Sequence, residues 1–224
     1  MKRIFLYIIS LLAIFLILPV KAQESPDAGE DMPPPEVVLD PGLRIGLNLV
    51  RPLMVFPLPS RFGIESVLDY NISPEYFVVA EAGVSRRSLN EPSYKLIERG
   101  AFMRIGADRN LYNHYNDVIA IGARLGFSLY ERGAPRIFGE DPYWGSITGS
   151  LPPSVFFRQW AEVVLVLKTE IFTNIFLGWN MRGKLLLPGR DDSHMAEFYI
   201  PGFGESSVNA TAGFDFYIYY RIPL

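Results

Sequence analysis

From residue 43 onward the chain repeats one pattern, an apolar side chain at every second position. Eight runs carry it, at 43–50, 62–71, 76–85, 97–107, 119–129, 161–168, 177–187 and 210–222. In the clearest, Ile119, Ile121, Ala123, Leu125, Phe127 and Leu129 interleave Ala120, Gly122, Arg124, Gly126 and Ser128. In the seventh, LGWNMRGKLLL, Trp179, Met181 and Leu185 alternate with Asn180, Arg182 and Lys184. A period of two means strands with one apolar and one polar face. The predicted fold class is therefore all-β, built from eight antiparallel strands.

Two architectures use such strands. A soluble barrel turns the apolar face inward; an outer-membrane barrel turns it to the lipid and lines its interior with the polar face. Three features favour the membrane form. The polar face is rich in glycine (Gly63, Gly83, Gly100, Gly106, Gly122, Gly126, Gly178, Gly213), which suits a crowded interior. Tyr70, Tyr76, Phe127, Trp179 and Tyr220 lie near strand ends, where interfacial aromatic girdles form. Short connections (NISPE, EIFTN) also alternate with long ones at 131–158 and 188–206, as periplasmic turns alternate with outer loops. DRNLYNHYND is longer than the usual periplasmic turn.

Charge follows from this choice. A lysine or arginine facing lipid at mid-bilayer costs about 2–4 kcal/mol. The bases Arg104, Arg124, Lys168, Arg182, Lys184 and Arg221 are therefore assigned to the lumen, with the acids Glu65, Asp69, Glu81, Glu98, Glu162 and Asp215. Acids concentrate on the second to fourth runs and bases on the fifth to seventh, so the two walls are expected to pair across the interior. Eight strands enclose only enough room for side chains, which predicts a filled lumen rather than a pore. Counting outward from a tight turn near 171–174 sets Glu162 almost opposite Arg182, with Lys184 one inward position further along.

The start of the chain supplies an address. Lys2 and Arg3 precede an apolar run at 4–20, and Val20, Lys21 and Ala22 offer a cleavage site, so residues 1–22 are expected to be a signal peptide. Residues 23–41 are acidic, proline-rich and free of bases, a composition that cannot offset its ordering entropy, and are expected to form a flexible lead-in. Residues 42–224 then make one barrel domain. The chain has no cysteine, which excludes disulfides and thiol-based metal sites. The net charge of -3, with no basic stretch interleaved with aromatics, argues against nucleic acid as a partner.

The stretches MRIGADRNLY (103–112), AEVVLVLKTEIFTNIFLGWNMRGK (161–184), YIPGFG (199–204) and FDFYIYYRIPL (214–224) resemble a family of small Gram-negative outer-membrane barrels known only by a domain-of-unknown-function label. The most specific pieces are the IPGFG at 200–204 and Arg221-Ile-Pro near the end. The resemblance covers nearly the whole mature chain. It implies an eight-stranded barrel in the outer membrane and brings no catalytic residues. Barrels in general end on an aromatic where this chain has Leu224; Ile218, Tyr220 and Ile222 keep the alternation read by the barrel-assembly machinery.

Enzymatic barrels need a general base near the outer leaflet, and only two histidines are present. His114 falls on a connection expected to face the periplasm. His194 lies in RDDSHM, beside Asp191, Asp192 and Ser193 on a long outer loop. Neighbours in sequence rarely meet in triad geometry, so the expectation is a non-enzyme, with hydrolysis around His194 as the minor alternative and no metal or cofactor. Outer loops bearing FGEDPYWG (138–145) and FYIPGFG (198–204) place Tyr143, Trp144 and Tyr199 as candidate contacts for lipopolysaccharide or an envelope or extracellular partner. Against this, such aromatics commonly pack loops onto a rim. The leading description is an envelope barrel with a filled, charged lumen and a loop-based binding role. A narrow solute channel is the alternative.

Overall fold

Each alternating run is a strand, and several strands extend well beyond the alternation. The structure, a computed structural model, describes residues 42–223 except 57, 115–116, 142, 144 and 189–196. Eight long strands are β1 (Leu43–Asn48), β2 (Arg61–Ser73), β3 (Tyr76–Asn90), β4 (Tyr94–His114), β5 (Asp117–Asp141), β6 (Gly145–Phe172), β7 (Ile175–Leu186) and β10 (Ala210–Ile222). A short helix, α1 (Val50–Leu53), follows β1, and a two-rung ladder of β8 (Tyr199–Ile200) with β9 (Gly204–Glu205) interrupts the connection from β7 to β10. The proposed signal peptide and lead-in lie outside the described residues.

Every pairing between neighbouring long strands is antiparallel, and the sheet closes on itself when β1 pairs with both β10 and β2. The all-β, eight-stranded antiparallel prediction thus agrees with the fold, a closed barrel in backbone geometry. The β2–β3, β4–β5 and β6–β7 connections and both ends of the ring share one end, here the turn end. The remaining connections share the loop end. DRNLYNHYND proves to be mostly ladder, because β4 continues to His114 and β5 begins at Asp117.

A larger difference concerns 131–158, read from sequence as a long outer loop. There β5 and β6 stay paired up to Asp141↔Gly145, with register shifts near Arg132, Ala134 and Ile137. The alternation fades because, among the described residues from 135 to 155, both faces of this arm are exposed, so no period-two signal marks it. The β6–β7 register also differs from the count. Glu162 faces Lys184, and Arg182 faces Val164. The turn is tighter than assumed, with Asn174 at φ 65, and a bulge between Glu170 and Phe172 offsets the ladder by one.

The sidedness is inverted relative to a water-soluble barrel. Ile45, Leu68, Met103, Ile121, Leu125, Val163, Met181 and Phe214 are exposed on the outer face, while Glu65, Glu81, Arg104, Arg124, Glu162 and Arg182 are buried inside.

Candidate functional site

The interior is layered. Nearest the turn end an apolar lining of Val79, Phe77, Val118, Val166, Phe176 and Tyr219 surrounds one charge cluster. Asp69 pairs with Arg44 at 2.6 Å and with Lys168 from the opposite wall. Both cations also lie against rings, Arg44 4.8 Å from Phe77 and Lys168 4.9 Å from Tyr219, contacts that gain strength when desolvated.

The middle layer is a continuous network. Arg104 meets Glu65 at 2.9 Å, Glu81 at 2.6 Å and Glu162 at 3.0 Å. Arg182 meets Glu81 at 2.9 Å, Glu162 at 3.1 Å and Asp215 at 2.7 Å, and donates to the Tyr217 hydroxyl at 2.7 Å. Tyr217 in turn donates to Glu65. Arg124 grips Asp108 with two nitrogens at 2.6 and 2.9 Å and approaches Glu81 at 3.5 Å. Glu81 is therefore shared by three guanidiniums. A buried carboxylate is tolerable only with such compensation.

Cross-wall pairing holds for Asp69 with Lys168 and Glu81 with Arg182, which sit on opposite strands of the ring. Most other pairs join adjacent or next-but-one strands, since Arg104 stands among the acids on β4 and Asp215 next to β7. Arg221, assigned from sequence to the lumen, keeps the inward face at the turn-end mouth, half-buried, 5.5 Å from the interior Phe176 ring, bonding Asn174 at 3.1 Å with Glu170 3.8 Å away. Its position as the penultimate residue of β10 puts it at the rim of the packed interior, away from the charge network. Glu98 is buried near the loop end, facing Arg132 across the β4–β5 ladder.

The loop end is stoppered by residues 199–204, between β7 and β10. Ile200 and Phe203 are fully buried against Phe102, Tyr130 and Trp160, with Phe203 6.0 Å edge-on from Trp160. Gly202 sits at φ +81 with Phe102 atoms 2.6 Å from where a Cβ would be, so the turn needs glycine for backbone and space alike. Its carbonyl accepts from Arg104 at 2.9 Å and Lys184 at 2.8 Å; the Phe203 carbonyl accepts from Lys184 at 3.0 Å. The same close packing explains most inward glycines, though not Gly63 or Gly213: at Gly126 a Cβ would lie 2.1 Å from the Trp160 indole. Trp160 donates to Glu162 at 2.5 Å, tying plug to network.

Above the plug, Glu197 receives Arg158 at 2.9 Å and the Tyr130 hydroxyl. On β9 the Glu205 carboxyl is held below the usual carboxylate range by a 2.9 Å hydrogen bond from Arg87 and by that guanidinium's charge.

Of the candidate loop contacts, Tyr143 is 84 % exposed at the arm's tip, whereas Tyr199 is half-buried and bonds Ser85 at 3.0 Å. Trp144 and the run around His194, with Asp191 and Asp192, lie outside the described residues. Sequence reasoning missed Arg44, Asp108, Tyr217 and Arg51. Arg44 and Tyr217 stand on the polar faces already recognised, and Asp108 is two positions beyond Gly106 on the same face, so period two was sufficient to find them. Arg51, on α1, carries no such signal.

An apolar exterior around a charge-packed, plugged interior defines the class: a β-ring turned inside out relative to water-soluble barrels. The chain belongs to the family described as a domain of unknown function, DUF6048, which matches residues 4–224. No curated protein matches it significantly.

Proposed function

We propose that the protein is an integral outer-membrane barrel with a closed lumen, serving the cell envelope as a rigid platform whose loop-end arm engages a partner. The observation that carries this reading is the sidedness: between Arg109 toward the turn end and the Arg99–Glu131 pair toward the loop end, the ring's outer face is apolar on all eight strands, and the mid-strand charges are buried inside. Exposed to water, that belt far exceeds the apolar patches a soluble monomer tolerates. Against lipid it is the matching surface. Tyr70, Tyr76 and Tyr220 face outward near the turn end, where an interfacial girdle belongs. With the turn end in the periplasm, the β5–β6 arm projects outward; β6, at 28 residues, is more than twice the roughly 9–11 that a membrane strand needs. Exposed Phe138 and Tyr143 on that arm are the contacts offered to lipopolysaccharide or a surface partner.

Fractionation tests the reading. The mature protein is expected in the outer membrane and to change apparent size on gels after boiling, as folded barrels resist unfolding by detergent. Recovery in the soluble periplasmic fraction after osmotic shock would refute it.

A further inference from the structure

The ring's wall is incomplete at the loop end. β1 stops at Asn48, paired with Tyr217 on one side, and its last partner on the other side is Ser66. β10 continues up to Ala210 and β2 to Arg61, so residues 210–215 and 61–65 face each other with no strand between them. Asn48 ends β1 by accepting from the Val50 and Arg51 amides at 2.9 and 3.2 Å, and α1 then lies in the gap, touching both β2 and β10. Arg51 reaches inward to Glu65, while Leu53, Met54 and Phe56 stay exposed, Phe56 at 81 %.

Behind this notch is a cavity of about 300 Å³, within the size range of small-ligand sites. Five bases line it, Arg51, Arg61, Arg86, Arg87 and Lys184, against two acids, Glu205 and Asp215. Both acids are already engaged: Glu205 with Arg87 at 2.9 Å and Arg61 at 3.7 Å, Asp215 with Arg182 at 2.7 Å and Asn48 at 2.8 Å. Lys184 is only 7 % exposed and has two neutral carbonyls as partners, with no carboxylate within 4.0 Å among the described residues. Its opposite number, Glu162, turns instead to Arg104, Arg182 and Trp160. Glu162 and Asp215 act on this ammonium only from a distance, and a desolvated ammonium that touches only neutral carbonyls gains from an anion brought into contact. The cavity's apolar side, Phe62 and Phe214, is continuous with the exposed outer face.

We propose that the notch is a lateral binding site for a membrane amphiphile with an anionic headgroup, phosphate or carboxylate. The headgroup sits by Lys184 and the rim arginines, and the acyl chain leaves between β2 and β10 along Phe62 and Phe214. This inference rests on the membrane reading, since only a chain embedded in lipid presents the notch to such a ligand.

The test is titration of the purified full chain in neutral-detergent micelles with dodecyl phosphate, followed by native mass spectrometry. Dodecyl phosphocholine and inorganic phosphate serve as separate probes. One dodecyl phosphate per chain is expected, binding about tenfold or more tighter than either probe, as loss of a charge-assisted contact or of the tail implies. Lys184→Met, of similar length but uncharged, should lower affinity about tenfold. If that variant does not fold, the exposed-rim pair Arg61→Gln and Arg86→Gln should weaken binding, while Arg99→Gln, outside the cavity, should leave it unchanged. Equal binding of inorganic phosphate would overturn the amphiphile, and insensitivity to Lys184 and the rim pair would overturn the site. A chain that fractionates with the outer membrane yet binds no dodecyl phosphate would refute this site alone.

Discussion

Arg182→Ala is expected to lower the unfolding free energy of the reconstituted barrel by about 3–5 kcal/mol, the range for breaking a buried ion pair from one side. Arg182 joins Glu81, Glu162 and Asp215, and its removal strands carboxylates that water does not reach. Glu81→Ala should be comparably harmful, because Arg104, Arg124 and Arg182 all converge on that carboxylate. The Glu81→Ala/Arg182→Ala double variant should lose less than the sum of the two, since each single change leaves a charge that the second removes. Glu162 with Arg182, 3.1 Å apart, is the second pair to cycle. Coupling there should be weaker, because Lys184 stands directly across from Glu162 and can replace the lost arginine. Urea titration of the wild type, single and double variants measures both couplings. Strict additivity would mean that the network does not act as a unit.

Phe203→Ala should have the next largest effect, of a different kind. Removing a fully buried aromatic costs about 3–5 kcal/mol where the surroundings do not collapse. Here the loss falls on a loop and not on the ring, whose ladders do not involve Phe203. Local opening is therefore the expected response. Residues 197–205 should gain hydrogen exchange and protease sensitivity, while the ring keeps its heat-dependent gel mobility. The wild type should give no porin-sized steps in a planar bilayer, because side chains fill an eight-stranded interior. Regular large steps from the wild type would contradict a closed lumen. Unchanged exchange at 197–205 in Phe203→Ala would show that the plug is held by Lys184 and Arg104 alone.

What can be read along the chain is what depends on neighbours in the chain. Side-chain direction alternates with backbone pleat, so the inward position of Glu65, Arg124 or Arg182 follows from period two without knowledge of any partner. On the proposed membrane reading the inverted sidedness follows as well, since five or more lumen bases turned toward lipid would outweigh a typical folding stability. Pairing is another matter. Glu81 and Arg182 are separated by 101 residues and meet only because ring closure sets β3 opposite β7. The displaced Glu162 register depended on one bulge and one left-handed asparagine, both invisible to counting. The outer part of the arm, from 135 to 155, escaped detection because a two-sided exposed ladder has no face to bury. The IPGFG segment was legible as unusual but not as a plug, since its partners Phe102, Trp160 and Lys184 come from three separate strands. Sequence by itself thus determined which residues face inward, a local property of each strand. Which charges meet, what stoppers the lumen and where the wall stays open were decided only when the ring closed, because those contacts join positions that the chain itself keeps far apart.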